Sequence, residues 1–241
     1  MVVEHHRFDS HRKRSSMLDG IATAGRHHLN IAMACAVGVV RTRPDCGVGV
    51  DGWPVGGVGP RTGALLASLA SAPPVRRVLE CGPGTSTLVM ARAIEEVGTD
   101  ARIVCMEHSC AWARIVRRRL RRHGLQRRAS VLVSPLRPSG VRIGGEEFAW
   151  YSRCSAARAE GPYDVVFIDG PPATDGRPRR APALPLLWDS INVGATIILD
   201  DGRRPGERAC VEAWLGMYPG RLRADLLDID KGLWRLEKTG A

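Results

Sequence analysis

Five short apolar runs, each closing on a polar or acidic residue, recur between residues 75 and 202: VRRVLEC, ARIVCMEH, ASVLVSPL, YDVVFIDG and ATIILDDG. The first two are followed by longer stretches with apolar residues at helical spacing, TSTLVMARAIEEVG and SCAWARIVRRRLRRHG. Buried strands alternating with amphipathic helices over short connections call for an α/β fold, a parallel sheet wound with helices on both faces through right-handed crossovers. In such a sheet, ligands bind beyond the carboxyl ends of the strands. Glu80, Glu107, Ser134, Asp169, Asp200 and Asp201 stand at those ends, and five of the six are acidic.

The remaining chain is assigned around this frame. RTGALLASLASAP reads as a helix stopped by Pro73-Pro74. The helix after the second strand is expected to bury Ala111, Ile115 and Leu120. VRIGGEEFAWYS reads as a hairpin or inserted strand, PALPLLWDSINVG and GERACVEAWLGMY as helices, and RLRADLLDI and GLWRLEK as two closing strands. Residues 1–45 form a basic, His-rich extension, partly mobile or helical, and 46–241 the ligand-binding domain. The apolar run LNIAMACAVGVV within the extension has twelve residues, too few to span a bilayer. A polar lead before it argues against a signal peptide.

The net charge of +10 creates a field that favours anionic partners, but no zinc-finger spacing or aromatic RNA-binding signature accompanies it. The arginine-dense helix RIVRRRLRRHGLQRR is read as a solvated or interface face, with nucleic-acid binding as its rival. Seven cysteines, an odd number without a CxxC pair, give no disulfide framework or zinc site and fit a reducing, cytoplasmic setting.

The glycine turn carries the functional signal. It runs Gly82-Pro83-Gly84-Thr85-Ser86-Thr87 and lacks the lysine of a phosphate loop. Thr87 stands where a dinucleotide fingerprint has its third glycine. Glu80 beside the turn would repel phosphate and favours a ligand with a positive group. Glu107, 23 residues after Gly84, can accept ribose hydroxyls. S-adenosylmethionine has the ammonium, the sulfonium and the ribose, and no phosphate.

With VLECGPGTSTL, IVCMEH, YDVVFIDGPP and GATIILDDGRRPGE in this order, the chain resembles the class I S-adenosylmethionine-dependent methyltransferases over roughly residues 50–240. The resemblance implies a doubly wound, Rossmann-like sheet of seven mostly parallel strands, the last antiparallel. It implies cofactor contacts from Glu80, Gly82, Gly84, Ser86, Glu107, His108 and Ser134.

Asp169, Asp200 and Asp201 on one rim would repel each other unless neutralised. A divalent cation such as Mg²⁺ would do this and could lower the pKa of an acceptor hydroxyl. The arrangement is similar to the metal-dependent small-molecule and sugar O-methyltransferases, so the three acids are the candidate metal ligands and Asp169 and Asp200 the candidate catalytic residues. Those enzymes often carry a Lys or His base three residues after the fourth-strand acid; here that position is Pro172. Trp53, Tyr151, Arg177 and Arg203 are substrate candidates, the arginines for an anionic acceptor. Trp150 and Tyr151 could form an aromatic lid. The expected activity is O-methylation of a hydroxyl or carboxyl of a small molecule or natural product. Methylation of RNA or protein, and a non-catalytic binding subunit of the same fold, are the alternatives, and a homodimer is an open possibility.

Overall fold

The computed structural model describes residues 57–173 and 175–241, with the backbone of Val48–Gly49 (β1) and Trp53–Pro54 (β2), which pair antiparallel. The readings made for residues 1–45 lie outside the described residues.

Helix α1 (Pro60–Ser71) starts on a proline, whose missing N–H costs nothing in the first turn, and ends at Ala72, extended before Pro73. The Asp230 carboxylate accepts from Thr62 N (2.8 Å) and Thr62 Oγ1 (2.9 Å), tying this first turn to the far end of the chain. There follow β3 (Arg77–Cys81), α2 (Thr85–Val97), β4 (Arg102–Glu107), α3 (Cys110–Arg122) and β5 (Ala129–Val133). A hairpin of β6 (Leu136–Ile143) and β7 (Glu146–Tyr151), turning at Gly144-Gly145, stands as its own small sheet. Next come α4 (Cys154–Ala159), β8 (Tyr163–Ile168), α5 (Ala183–Leu187), β9 (Ile191–Leu199), α6 (Pro205–Met217), β10 (Leu222–Leu227) and β11 (Leu233–Lys238).

The seven-stranded sheet has the order β10-β11-β9-β8-β3-β4-β5. From β9 to β5 all neighbours are parallel, and β11 runs antiparallel to both β9 and β10. The chain winds outward from β3 in one direction, then returns to β8 on its other side. The crevice at this reversal, beyond the ends of β3 and β8, is where a ligand fits in an open α/β sheet.

Alternation along the strands divides the core. Val78, Ile103, Cys105, Val165 and Phe167 pack under α1, α2 and α3 with Leu66, Met90, Ile94, Val116 and Leu120. Leu79, Cys81, Val104, Met106, Val166 and Ile168 face the other way, against α4, α5 and α6 with Leu184, Leu187, Val211 and Trp214. Both faces are therefore covered, as the near-continuous apolar strands require.

Two local expectations are corrected. The buried face of α3 is Ala113, Val116 and Leu120; Ala111 and Ile115 are exposed. The other face of this helix is crowded with arginine, and Arg114, Arg118, Arg121 and Arg122 are exposed. The helix expected over PALPLLWDSINVG is short, because Ile191 already enters β9 opposite Tyr163. β-Branched Ile191 and Val193 suit a strand, and pairing with β8 decides the conformation. Among the described residues no helix is long and apolar enough to cross a membrane. Cys81, Cys105, Cys110, Cys154 and Cys210 are free thiols.

Candidate active site

Glu80 sits on β3 with the parity of Val78, so its side chain enters the core beneath α2 rather than the crevice. It is fully buried and accepts hydrogen bonds from the Ser86 hydroxyl, Thr87 Oγ1 (2.6 Å) and Cys105 Sγ (3.3 Å). Thr87 Oγ1 in turn accepts from Gly84 N–H at 3.0 Å. A continuous chain of hydrogen bonds thus runs from the glycine turn through the first turn of α2 to Glu80. Burial pushes the Glu80 pKa up to about 7, against the lowering pull of these three partners. Glu80 does not line the crevice; it holds in place the turn that does.

Gly82 has φ +88°, and a Cβ there would lie 2.8 Å from Asp169 O and 3.0 Å from Gly170 N. The left-handed conformation and the close approach of the loop after β8 both require glycine. Its first duty is to the neighbouring backbone, beyond the ligand contact expected of it. Gly84 and Ser86 do line the crevice.

The crevice has a volume of about 310 Å³, at the small end of the range for small-molecule clefts. Its floor is the turn Gly82–Ser86; Glu107, His108, Ser109 and Trp112 form one wall, and Tyr151, Asp169, Gly170 and Pro172 the other. Glu107 is buried, accepts from Ser109 N at 2.6 Å, and has His108 Nδ1 3.0 Å from its Oε1. Burial raises its pKa, with Ser109 N–H and His108 opposing. Trp112 was missed from sequence. Its indole donates to Pro83 O at 2.7 Å, which stands the ring beside the glycine turn. Ser109 caps α3 by accepting from Trp112 N, so the Ser-x-x-Trp spacing was the available signal.

Ser134 is fully buried and does not line the crevice; its hydroxyl accepts from Arg153 N at 2.8 Å. Trp150 is core, not lid. Tyr151, beside it at the end of β7, lines the crevice as a fixed wall: it is buried, and its hydroxyl is buried without a protein hydrogen-bond partner. A Cβ on Gly170 would collide with that hydroxyl. Trp53 has a described backbone only, and its side chain lies outside the described residues.

The three aspartates converge as the sequence expected, with one oxygen from each within 4.8 Å of the others. Only Asp169 lines the crevice. Asp200 and Asp201 are buried behind it. Among them lies Arg180, which is 2% exposed. Its Nη2 donates to Asp169 Oδ1 (3.0 Å) and Asp201 Oδ2 (3.3 Å), and its Nη1 to Asp200 O (3.1 Å), with Glu207 Oε1 at 3.5 Å. Arg204 reaches Asp201 Oδ2 at 2.8 Å, and Lys231 stands 3.8 Å from Asp201 Oδ1. The carboxylates of Asp169, Asp201 and Glu207 thus meet three cations from the chain itself, and Asp200 is reached through its carbonyl. Burial raises the pKa of Asp169, with Asp200 adding to it and Arg180 opposing. Burial likewise raises Asp200. The four carboxylates more than reverse the effect of burial on Arg180 and keep it charged.

A divalent ion between these acids fits poorly. A dication about 4 Å from the fixed guanidinium is repelled by on the order of 8 kcal/mol at an effective dielectric constant of about 20, which cancels the attraction of one carboxylate at that range, and Arg204 and Lys231 oppose it further. Arg180 already bridges two of the three proposed ligands. Asp201 Oδ1 and Glu207 Oε1 are buried without a hydrogen bond, and each has a cation nearby, Lys231 at 3.8 Å and Arg180 at 3.5 Å.

The proposed substrate arginines do not line the crevice. Arg177 pairs with Glu146, lies near Asp175, and stands over the Phe148 ring at 5.6 Å. Arg203 pairs with Asp228 and donates to Asp230 O. Each is engaged with the protein's own groups.

Residues 79–202, half of the chain, match the family described as "Methyltransferase domain". The chain belongs to this methyltransferase family. Catechol O-methyltransferase of Mycobacterium tuberculosis is 33% identical to it over 114 residues, which are 46% of this chain and 44% of that protein. The methyltransferase thus spans under half the length of this curated relative. The O-methyltransferase TomG of Streptomyces achromogenes, involved in tomaymycin synthesis and solved with SAM, superposes with a TM-score of 0.56 at 20% identity, over 78% of this chain and 84% of that one. An O-methyltransferase of Bacillus cereus in complex with SAH gives 0.57 at 19% identity, over 88% and 90%. At these identities the two structures establish the methyltransferase's fold.

Proposed function

We propose that this methyltransferase moves the methyl group of S-adenosylmethionine to a hydroxyl or carboxyl oxygen of a small-molecule acceptor, natural products included. The observation that carries this is the crevice itself, with the glycine turn on its floor, a buried carboxylate on one wall, and an aspartate and a buried tyrosine on the other. The catechol O-methyltransferase relative and the TomG fold support oxygen as the acceptor atom. The free thiols fit a cytoplasmic protein.

The cofactor supplies an electrophilic methyl on a sulfonium: the C–S bond breaks, a C–O bond forms, and the acceptor's proton leaves. The residues divide the remaining work. Backbone at Gly82–Ser86 receives the methionine end, Glu107 takes the ribose hydroxyls, and His108 and Trp112 flank the base. Glu80 acts through the turn it holds. Asp169 faces the acceptor, with Oδ1 on Arg180 and Oδ2 without a protein hydrogen bond, and accepts the departing proton. Pro172 lies in the wall with no group to do so. Orientation of the two reactants supplies most of the acceleration.

Calorimetry with S-adenosylmethionine and with its demethylated product tests the reading. Micromolar binding that Glu107→Ala weakens at least about tenfold is expected. Absence of binding by both compounds would sink the proposal. Uptake of RNA at low salt, lost on replacing Arg118 and Arg121, would move the acceptor to nucleic acid.

A further inference from the structure

The rim beyond β8 and β9 poses a question that the cofactor crevice does not answer. Three aspartates at neighbouring strand ends, with Glu207 beside them, repel one another unless positive charge neutralises them, and a hard divalent cation is one group that does so. The chain places a buried arginine there. Arg180 comes from the loop before α5, and its guanidinium is spent on Asp169, Asp201, the Asp200 carbonyl and the Pro171 carbonyl at 3.4 Å. It is among the least exposed charged side chains described.

We propose that Arg180 is the resident cation of this rim, standing where a divalent ion would otherwise bind, so that the acid cluster works without metal. Three features support it. Arginine cannot give up its charge in a protein, so the neutralisation is permanent. Its planar donors bridge two carboxylates at once. Arg204 and Lys231 close on Asp201 from other directions, which makes a second positive centre redundant. Arg180 is thereby a positioning residue. Its bond to Asp169 Oδ1 leaves Oδ2 for the crevice. An acceptor then needs no metal-chelating pair of neighbouring oxygens; one hydroxyl beside Asp169 is enough. This last consequence rests on the methyl-transfer reading, whereas the cation assignment does not.

The test is ion binding by the full chain after treatment with chelator. Mn²⁺ is titrated in, and the free ion is followed by electron paramagnetic resonance. The wild type is expected to show no stoichiometric site. Arg180→Met, of similar length and without charge, is expected to gain one Mn²⁺ per chain, at least about tenfold tighter than any wild-type binding; Arg180→Lys is expected to gain none. One Mn²⁺ per wild-type chain, lost in Asp200→Asn, would overturn the proposal. So would a folded Arg180→Met that gains no ion. If Arg180→Met fails to fold, the wild-type and Arg180→Lys titrations decide. S-adenosylmethionine binding measured on the same samples separates the two ideas, since its absence strikes the methyl-transfer reading and leaves the Mn²⁺ result standing.

Discussion

Glu80 and Asp169 both stand at the ends of adjacent parallel strands, β3 and β8, and the fold deals with their burial in opposite ways. Glu80 receives hydroxyls and a thiol from α2 and β4, no cation, and a pKa near 7 that favours its proton. Asp169 receives a guanidinium from a loop, which the Asp201 carboxylate shares and which also donates to the Asp200 carbonyl. Side-chain direction makes the difference. Glu80 points into a core where only neutral donors from nearby turns can reach it. The aspartates end their strands at the rim, where a long arginine can enter from outside. The first solution builds a rigid floor; the second leaves one carboxylate oxygen open to a ligand.

The comparison can be broken most severely at Arg180. Arg180→Met strands carboxylates in a buried site and is expected to lower the free energy of unfolding by about 3–5 kcal/mol, measured by urea denaturation at pH 7. The loss should shrink toward pH 5, where those acids can protonate; a pH-independent loss would mean that packing, not charge, is what Arg180 contributes.

The Glu80 side predicts the pH dependence of stability. Between its ordinary 4.5 and about 7, the folded chain keeps a proton that the unfolded chain has released. The contribution is complete below 4.5 and is lost as pH rises through about 7, by on the order of 3 kcal/mol. Glu80→Gln should remove that slope, so the stability gap between wild type and variant should change by this amount from pH 4.5 to 8. A constant gap would refute the protonated, neutral-donor account.

Gly82 joins the two regions. Gly82→Ala forces a side chain at φ +88° against the Asp169 carbonyl and should cost about 2 kcal/mol of stability. S-adenosylmethionine affinity should fall with it, in the same calorimetric titration used for the wild type. At the small end, Arg203→Ala removes an exposed pair and should change stability by less than about 0.5 kcal/mol and leave cofactor affinity unchanged. A large effect on acceptor KM would restore Arg203 to the substrate site.

Much of this was legible along the chain. Apolar strand runs between amphipathic helices are enough to require a doubly wound sheet, because each element must bury its own face. The glycine turn and the acids at strand ends mark the crevice for the same reason: they are local in sequence and lie at one rim by topology. The parity of Glu80 with Val78 was also there to be read, and it turns the carboxylate away from the ligand. What no local pattern could provide was the partner of each charge. Arg180 lies 11 residues from Asp169 and 21 from Asp201, in a loop where Arg177 and Arg179 are indistinguishable by composition. Arg177 and Arg179 turn outward to Glu146 and Asp175, and Arg180 alone of the three turns in. Tertiary packing made that choice, since burial strengthens each charge–charge interaction and of these three arginines Arg180 is the one buried among the acids.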